Sequence, residues 1–204
     1  MKKKILTVLG TRPEIIRLSC IIKTLDKYFN HEIVNTNQNF SKNLNFDFFK
    51  DLEIRKPKYS MKNNISKNPI EFLSMGLTFL NKILENEKPD AILILGDTNT
   101  SLTAISAKRK KIPIFHIEAG NRCFDQRVPE EINRKIVDHI SDVNLTYSTY
   151  AENNLLREGL PRDLVIKVGS PLKEVYEYYN NKINKSKIIE KLGLNQKKYI
   201  VASI

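Results

Sequence analysis

Short apolar, β-branched runs recur along the chain, among them ILTVL at 5–9, AILIL at 91–95 and IPIFHI at 112–117, and the stretches between them place apolar residues at helical spacing. A continuous apolar run marks a strand buried on both faces. Alternation of such runs with helix-period segments is the pattern of βαβ units and a parallel sheet. Strands are predicted at residues 4–9, 31–36, 90–95, 112–117, 142–147 and 164–168. Between the first two, Pro13 to Tyr28 carries Ile15, Ile16, Leu18, Ile21, Ile22 and Leu25 on one stripe, with Pro13 suited to a first helical turn where its missing N–H costs nothing. Pro69 to Asn86 reads the same way, with Phe72, Leu73, Met75, Phe79, Leu80 and Ile83 facing inward. The polar segment from Lys50 to Lys67, which contains Pro57, has no period and is expected to be a loop. Lys173 to Leu192 reads helical, Gly193 stops it, and KYIVASI begins a new strand. This divides the chain into a Rossmann-like domain over 1–170, a helical connector over 171–197 and, at 198–204, the first strand of a second domain that the sequence does not contain.

Composition narrows the class. The chain has 204 residues, enough for one sizeable core, and a net charge of +11 from 34 Lys and Arg against 23 Asp and Glu. The excess is lysine scattered over surface-type positions, with no nucleic-acid-binding signature and no interleaved aromatic residues. A solvated basic surface is therefore expected, and no nucleic-acid partner. No run of about 18 apolar residues occurs, and MKKKILTVLGTRPE lacks the apolar length and cleavage site of a signal peptide. The expectation is a soluble, cytoplasmic protein without a membrane partner. Cys20 and Cys123 belong to no CxxC or Cys/His cluster, so free thiols are expected, with no structural metal and no disulfide framework.

Three polar clusters directly follow apolar runs: Gly10 to Glu14, Gly96-Asp97-Thr98 and Glu118-Ala119-Gly120. In an open parallel sheet the residues past the carboxyl ends of the strands line one crevice, so the three can converge. A helix N-terminus at Thr11 to Glu14, with Arg12 and Arg17 close by, is a seat for phosphate. Thr11-x-x-Glu14 reads equally as a capping box, and Asp97 as a helix cap. Neither GxGxxG nor GxxxxGK[ST] is present, which argues against a dinucleotide-binding domain and a P-loop NTPase. Glu118 breaks an apolar run and opens a long polar loop into Val128-Pro129-Glu130-Glu131, where acidic residues serve either as helix-dipole partners or as catalytic groups. His116, inside its strand, reads as a buried, hydrogen-bonded histidine. Asp97, Glu118 and Glu130 would supply three carboxylates near one crevice, with Arg12, Arg17, Arg122, Arg127 and Arg134 as candidate counter-charges. Crowded, partly desolvated carboxylates have raised pKa values, which suits proton abstraction beside a carbon bearing a phosphate leaving group.

The segments GTRPEIIR, ILGDTNTSLTA, FHIEAGNR, VPEEINRKIVDHISD and NLLREG, in this order and spacing, resemble the non-hydrolysing UDP-N-acetylglucosamine 2-epimerases. The resemblance implies a glycosyltransferase-B-like fold of two Rossmann-like domains with the active site between them, of which this chain would be the N-terminal half. It implies a homodimer when full length, a UDP-sugar as substrate and no nicotinamide or metal cofactor. The implied chemistry is removal of the C2 proton, elimination of UDP to a 2-acetamidoglucal, and re-addition of UDP with the C2 configuration inverted. Carried over residue by residue, Arg12 and Arg17 match nucleotide-sugar-contacting positions, and Asp97, Glu118 and Glu130 match the acidic catalytic positions. The loop from Glu118 to Glu130 is shorter than in the best-known members. Asn35 to Phe40 replaces the usual Thr-Gly-Gln-His stretch, which puts in question the allosteric substrate site that some members build there. These departures, with GNRCFDQRVPEEINR and DLEIRKPKY, look more like the branch that converts UDP-2-acetamido-2,6-dideoxy-L-talose to UDP-N-acetyl-L-fucosamine. A nucleotide-sugar-binding remnant without activity is the alternative from outside enzyme chemistry.

Overall fold

The computed structural model describes residues 2–38, 48–62, 68–195 and 198–202. Seven strands, β1 (Lys4–Leu9), β2 (Asn30–Asn35), β3 (Tyr59–Ser60), β4 (Ala91–Leu95), β5 (Ile114–Ala119), β6 (Val143–Thr146) and β7 (Val165–Lys167), form one sheet in the order β3-β2-β1-β4-β5-β6-β7. Every pairing is parallel. The strand order reverses between β1 and β4, the position at which doubly wound sheets open a crevice at their carboxyl edge.

Helices cover both faces, and the alternation of side chains along each strand sorts the core into two layers. Leu6, Val8, Val34, Ile92, Ile94 and Ile114 pack against Leu80, Ile83 and Leu84 of α2 (Pro69–Glu87), Leu102 of α3 (Asn99–Leu102), Ala107 of α4 (Ile105–Arg109) and Val137 of α5 (Pro129–Ile140). On the other face Leu9, Ile33, Leu93, Leu95 and Ile117 meet Ile15, Leu18 and Ile22 of α1 (Arg12–Tyr28). Further helices are α6 (Thr149–Arg157), α7 (Leu172–Asn184) and α8 (Ile188–Lys191). The α7 segment docks back on α1, with Cys20, Val175 and Tyr179 in one apolar cluster and the Tyr179 hydroxyl donating to the Leu52 carbonyl at 2.5 Å. Between α1, α7 and the sheet an apolar groove of about 530 Å³ remains, bordered by Leu93, Ile117, Leu145 and Val168.

Several expectations shift. The fifth strand runs over Ile114–Ala119, not 112–117, so Glu118 lies inside it; Pro113 precedes the strand, and its carbonyl still accepts from Ile92 N. The segment expected to be a loop over 50–67 contains β3, a two-residue edge strand on β2, while its residues 63–67 lie outside the described ones. The expected strand at 198–204 is not formed over 198–202, where Ile200 and Val201 are 95% and 82% exposed; residues 203–204 lie outside the described ones. An extended apolar segment becomes a strand only when a neighbour pairs its backbone, and among the described residues nothing does.

The close packing of the segments after β1, β2 and β4 depends on Gly10. A Cβ there would meet Thr36 Oγ1 at 2.1 Å and Thr100 Oγ1 at 2.3 Å, two hydroxyls that are themselves hydrogen-bonded at 2.7 Å. Beside it the buried Glu14 carboxylate accepts from Gly10 N at 2.6 Å, from Thr11 N at 3.0 Å and from the Thr98 hydroxyl at 2.6 Å. The capping-box reading of Glu14 is thus realised, and extended: the same carboxylate ties the start of α1 to the loop after β4. Burial pushes its pKa up to about 7, against the pull of those donors.

Gly10→Ala should lower the unfolding free energy by about 1–3 kcal/mol, the usual cost of overpacking a core without room to relax; a variant with the wild-type urea midpoint would contradict this. Glu14 makes a second prediction. The unfolded chain ionises it near 4.5 and the folded chain near 7, so the folded state loses stability as pH rises through that interval and is level above it. Glu14→Gln lacks this loss, so the stability difference between wild type and variant should change by roughly 3 kcal/mol between about pH 4.5 and 7.5. His31, whose pKa burial lowers, titrates in both proteins and cancels. A pH-independent difference would contradict the assignment.

Candidate active site

The strand ends around the β1/β4 switch point carry the site. Glu118 has φ +72° and sits where the β5/β6 register slips between Ile117 and Ala119. A bulge of this kind re-aims the side chain of its extra residue, and the left-handed conformation of a non-glycine residue is a strain typical of functional positions. Gly96 is also left-handed, at φ +75°, which is what favours glycine there; a Cβ would meet Glu118 Oε2 at an ordinary contact distance of 3.6 Å. Arg17, from the second turn of α1, donates through Nη1 to that same Oε2. Burial raises the Glu118 pKa, Arg17 pulls it down, the neighbouring Asp97 charge pushes it up, and the net direction is upward.

Asp97, directly after β4, is held differently. Its Oδ2 accepts from Arg134 Nε at 2.8 Å and forms an ion pair with Arg134 Nη2 at 2.6 Å, and its carbonyl accepts from Asn133 Nδ2 at 2.9 Å. α5 therefore supplies both grips on the β4 loop. The structure brings Arg17, Glu118, Asp97 and Arg134 together, two arginine–carboxylate pairs from four different elements.

The remaining sequence candidates fall elsewhere. Arg12 is exposed at the first position of α1 and makes no ion pair among the described residues. Glu130 is exposed in the first turn of α5. Its neighbour Glu131 is the buried one: it accepts from Cys123 N at 3.0 Å and Phe124 N at 3.2 Å and pairs with Arg134 at 3.2 Å. Burial works against its charge, but those donors and Arg134 outweigh it and hold its pKa below the ordinary range. Glu131 thus fixes the loop between β5 and α5. Of the candidate counter-charges, Arg122 pairs with Asp138 and Glu158, and the exposed Arg127 with Asp125, so neither faces the Glu118 pair.

Sequence reading passed over Tyr147. Its hydroxyl, just past the end of β6, is buried with no hydrogen-bond partner among the described residues, and its pKa is raised by burial and by the Glu118 charge, with Arg17 opposing. The strand-end rule that found the other clusters applies to position 147 as well. Gln38 also packs where the segments after β1, β2 and β4 meet, its Oε1 accepting from Thr100 N and Thr100 Oγ1, both at 2.9 Å. It belongs to the Asn35 to Phe40 stretch, whose residues 39–40 lie outside the described ones. Among the described residues no helix is long and apolar enough to cross a membrane.

The family described as UDP-N-acetylglucosamine 2-epimerase matches residues 23–204. The UDP-N-acetylglucosamine 2-epimerase of Methanocaldococcus jannaschii is 43% identical over 171 residues, 83% of this chain and 46% of the relative. The structure of that organism's enzyme in complex with UDP-GlcNAc and UDP superposes with a TM-score of 0.87 at 39% identity, over 93% of this chain and 52% of that one. The structure of UDP-N-acetylglucosamine 2-epimerase from Rickettsia bellii has a TM-score of 0.89 at 50% identity and covers 98% of this chain and 53% of its own. At 17% identity and a TM-score of 0.60, over 81% of this chain and 45% of its own, the lipopolysaccharide outer core galactosyltransferase WaaB shares the fold alone, which places the sheet in a glycosyltransferase-B-like architecture. The chain spans about half the length of the curated relatives it matches. A Rossmann-like sheet with this strand-end site, matched over nearly its whole length, belongs to the UDP-N-acetylglucosamine 2-epimerase family.

Proposed function

We propose that this chain supplies the acid–base wall of a nucleotide-sugar 2-epimerase. The observation that carries the reading is the strained Glu118, with its raised pKa, paired to Arg17 beside the Asp97–Arg134 pair. A carboxylate with a raised pKa is a stronger base toward a carbon-bound proton than a solvated one. One carboxylate takes the C2 proton as the C1–O bond breaks and UDP leaves with the electron pair, giving a C1=C2 double bond. UDP then adds back at C1, and a carboxyl group on the opposite side delivers a proton to C2. Asp97 and Glu118 take these two roles. Glu130 is a third acidic group at the mouth of the α5 loop, and Arg12 with Arg17 hold the diphosphate.

The second wall is proposed to come from a further domain beginning at 198–204, joined through a connector over 171–197, with the whole enzyme a cytoplasmic homodimer. UDP-N-acetylglucosamine is the substrate named for the relatives above. The GNRCFDQRVPEEINR stretch favours UDP-2-acetamido-2,6-dideoxy-L-talose as the second substrate to assay, with the same chemistry at C2.

The 204-residue chain alone should not turn over either sugar above a blank, because the reaction needs a second wall to bind UDP and exclude water. A chain extended by the family's second half should epimerise one of them with solvent deuterium appearing at C2. In that enzyme Asp97→Asn and Glu118→Gln should each lower kcat by about 100-fold or more. Near-normal rates in both variants would remove these residues from the mechanism, and an extended chain that binds UDP-sugar without turnover would favour a remnant.

A further inference from the structure

We propose that His116 and Asp138 are positioning residues, a buried brace that fixes the loop carrying Asp97 against the turn carrying Glu118. The inference rests on the reading of those two carboxylates as the acid–base pair.

His116 lies on β5 two residues before Glu118 and is fully buried. Its Nε2 is 2.8 Å from the carbonyl of Gly96, the residue before Asp97. A carbonyl only accepts, so Nε2 carries the proton and donates. The Gly96 N–H donates in turn to the Ile117 carbonyl at 2.9 Å, so both backbone polar groups of Gly96 are held by β5. On the other side of the ring, Nδ1 approaches Asp138 Oδ1 at 2.9 Å, off the line of an aligned hydrogen bond.

Asp138, on α5 and also fully buried, completes the span. Its carboxylate accepts from Gly120 N at 3.3 Å and 3.2 Å, two residues after Glu118, and from Arg122 Nη1 at 2.7 Å. The Asp138 carbonyl is itself fixed by Asn144 Nδ2 at 3.0 Å. The Glu118 turn is therefore gripped on both sides, upstream through His116 and downstream through Gly120. Gly120 has no room to shift toward α6, since a Cβ there would meet the Ala151 carbonyl at 2.2 Å.

Fully buried ionic groups such as Asp138 and the Arg122 side chain gain little stability over apolar packing of the same volume. Holding a non-glycine residue in the left-handed region, by contrast, requires restraint from the surrounding structure. The brace supplies that restraint and couples it to the Asp97 loop.

Side-chain carboxyl titration by NMR on the 204-residue chain tests this, with Glu118→Gln identifying the signal. The groups facing Glu118 are Arg17 from α1, Asp97 after β4, His116 on the same strand and Tyr147 after β6. In His116→Gln the Glu118 midpoint should fall by about one pH unit toward the ordinary range, because a released turn lets the carboxylate hydrate. The electrostatic influence of His116 on Glu118 is to lower its pKa, so losing that influence alone would raise the midpoint, and the direction separates positioning from simple electrostatics. Asp138→Asn should lower it too. An unchanged or raised midpoint in folded His116→Gln overturns the proposal. Should that variant not fold, the wild-type chain decides: the Gly120 amide should exchange at least about 100-fold more slowly than in an unstructured peptide, and the His116 ring proton should sit on Nε2. Peptide-like exchange at Gly120, or a neutral ring protonated on Nδ1 alone, would equally overturn it. No readout here involves turnover, so a wrong assignment of the reaction would appear in the Asp97 and Glu118 kinetics and leave these results standing.

Discussion

The close packing of the segments that follow β1, β2 and β4 is the constraint on which the site depends. Where the strand order reverses, the loops after the two strands leave toward different helices, and a crevice opens between those loops at the carboxyl edge of the sheet. Here the opening is held to one width by contacts that tolerate no extra atom: Gly10 against the Thr36 and Thr100 hydroxyls, and Glu14 spanning from the Gly10 and Thr11 amides to Thr98. A carboxylate spent on this tie sits fully buried and gives up stability near neutral pH. That cost is the physical sign that the position of the α1 N-terminus relative to the β4 loop matters more than an economical core.

The charges of the crevice are arranged across elements, not along them. Arg17 comes from α1 and meets Glu118 on β5; Arg134 comes from α5 and meets Asp97 after β4. Each arginine stabilises the charge of a carboxylate that would otherwise be desolvated and repelled by the other carboxylate. Yet burial still prevails at Glu118, whose pKa stays raised. The Tyr147 hydroxyl, which has no hydrogen-bond partner among the described residues, adds no charge to offset this. The adjacent acids on α5 divide in the same physical terms: Glu131 is enclosed by backbone donors and fixes a loop, while Glu130 remains in solvent.

Much of this was legible in the sequence for identifiable reasons. Apolar runs such as AILIL leave no alternative to a strand buried on both faces, and β4 is buried at every position. The clusters following β1 and β4 fell at strand ends, so their convergence followed from the parallel sheet alone. Less was legible where position depended on contacts distant in sequence. The two-residue β3 has no period of its own and exists only through its pairing with β2. The shift of the fifth strand to Ile114–Ala119 follows its register with β4 and β6, which no local pattern encodes.

The sequence by itself determined six of the seven strands, the alternation of strands and helices in a Rossmann-like parallel sheet, the motifs that resemble the family and the candidate carboxylates, because these rest on local periodicity and on residues adjacent in the chain. Only the tertiary structure decided which arginine serves which carboxylate, that Glu131 and not Glu130 is buried, and that Glu118 occupies a left-handed bulge braced through His116 and Asp138. Those outcomes are set by side chains tens of residues apart competing for the same donors in a low-dielectric interior, where partner, distance and burial together fix charge state.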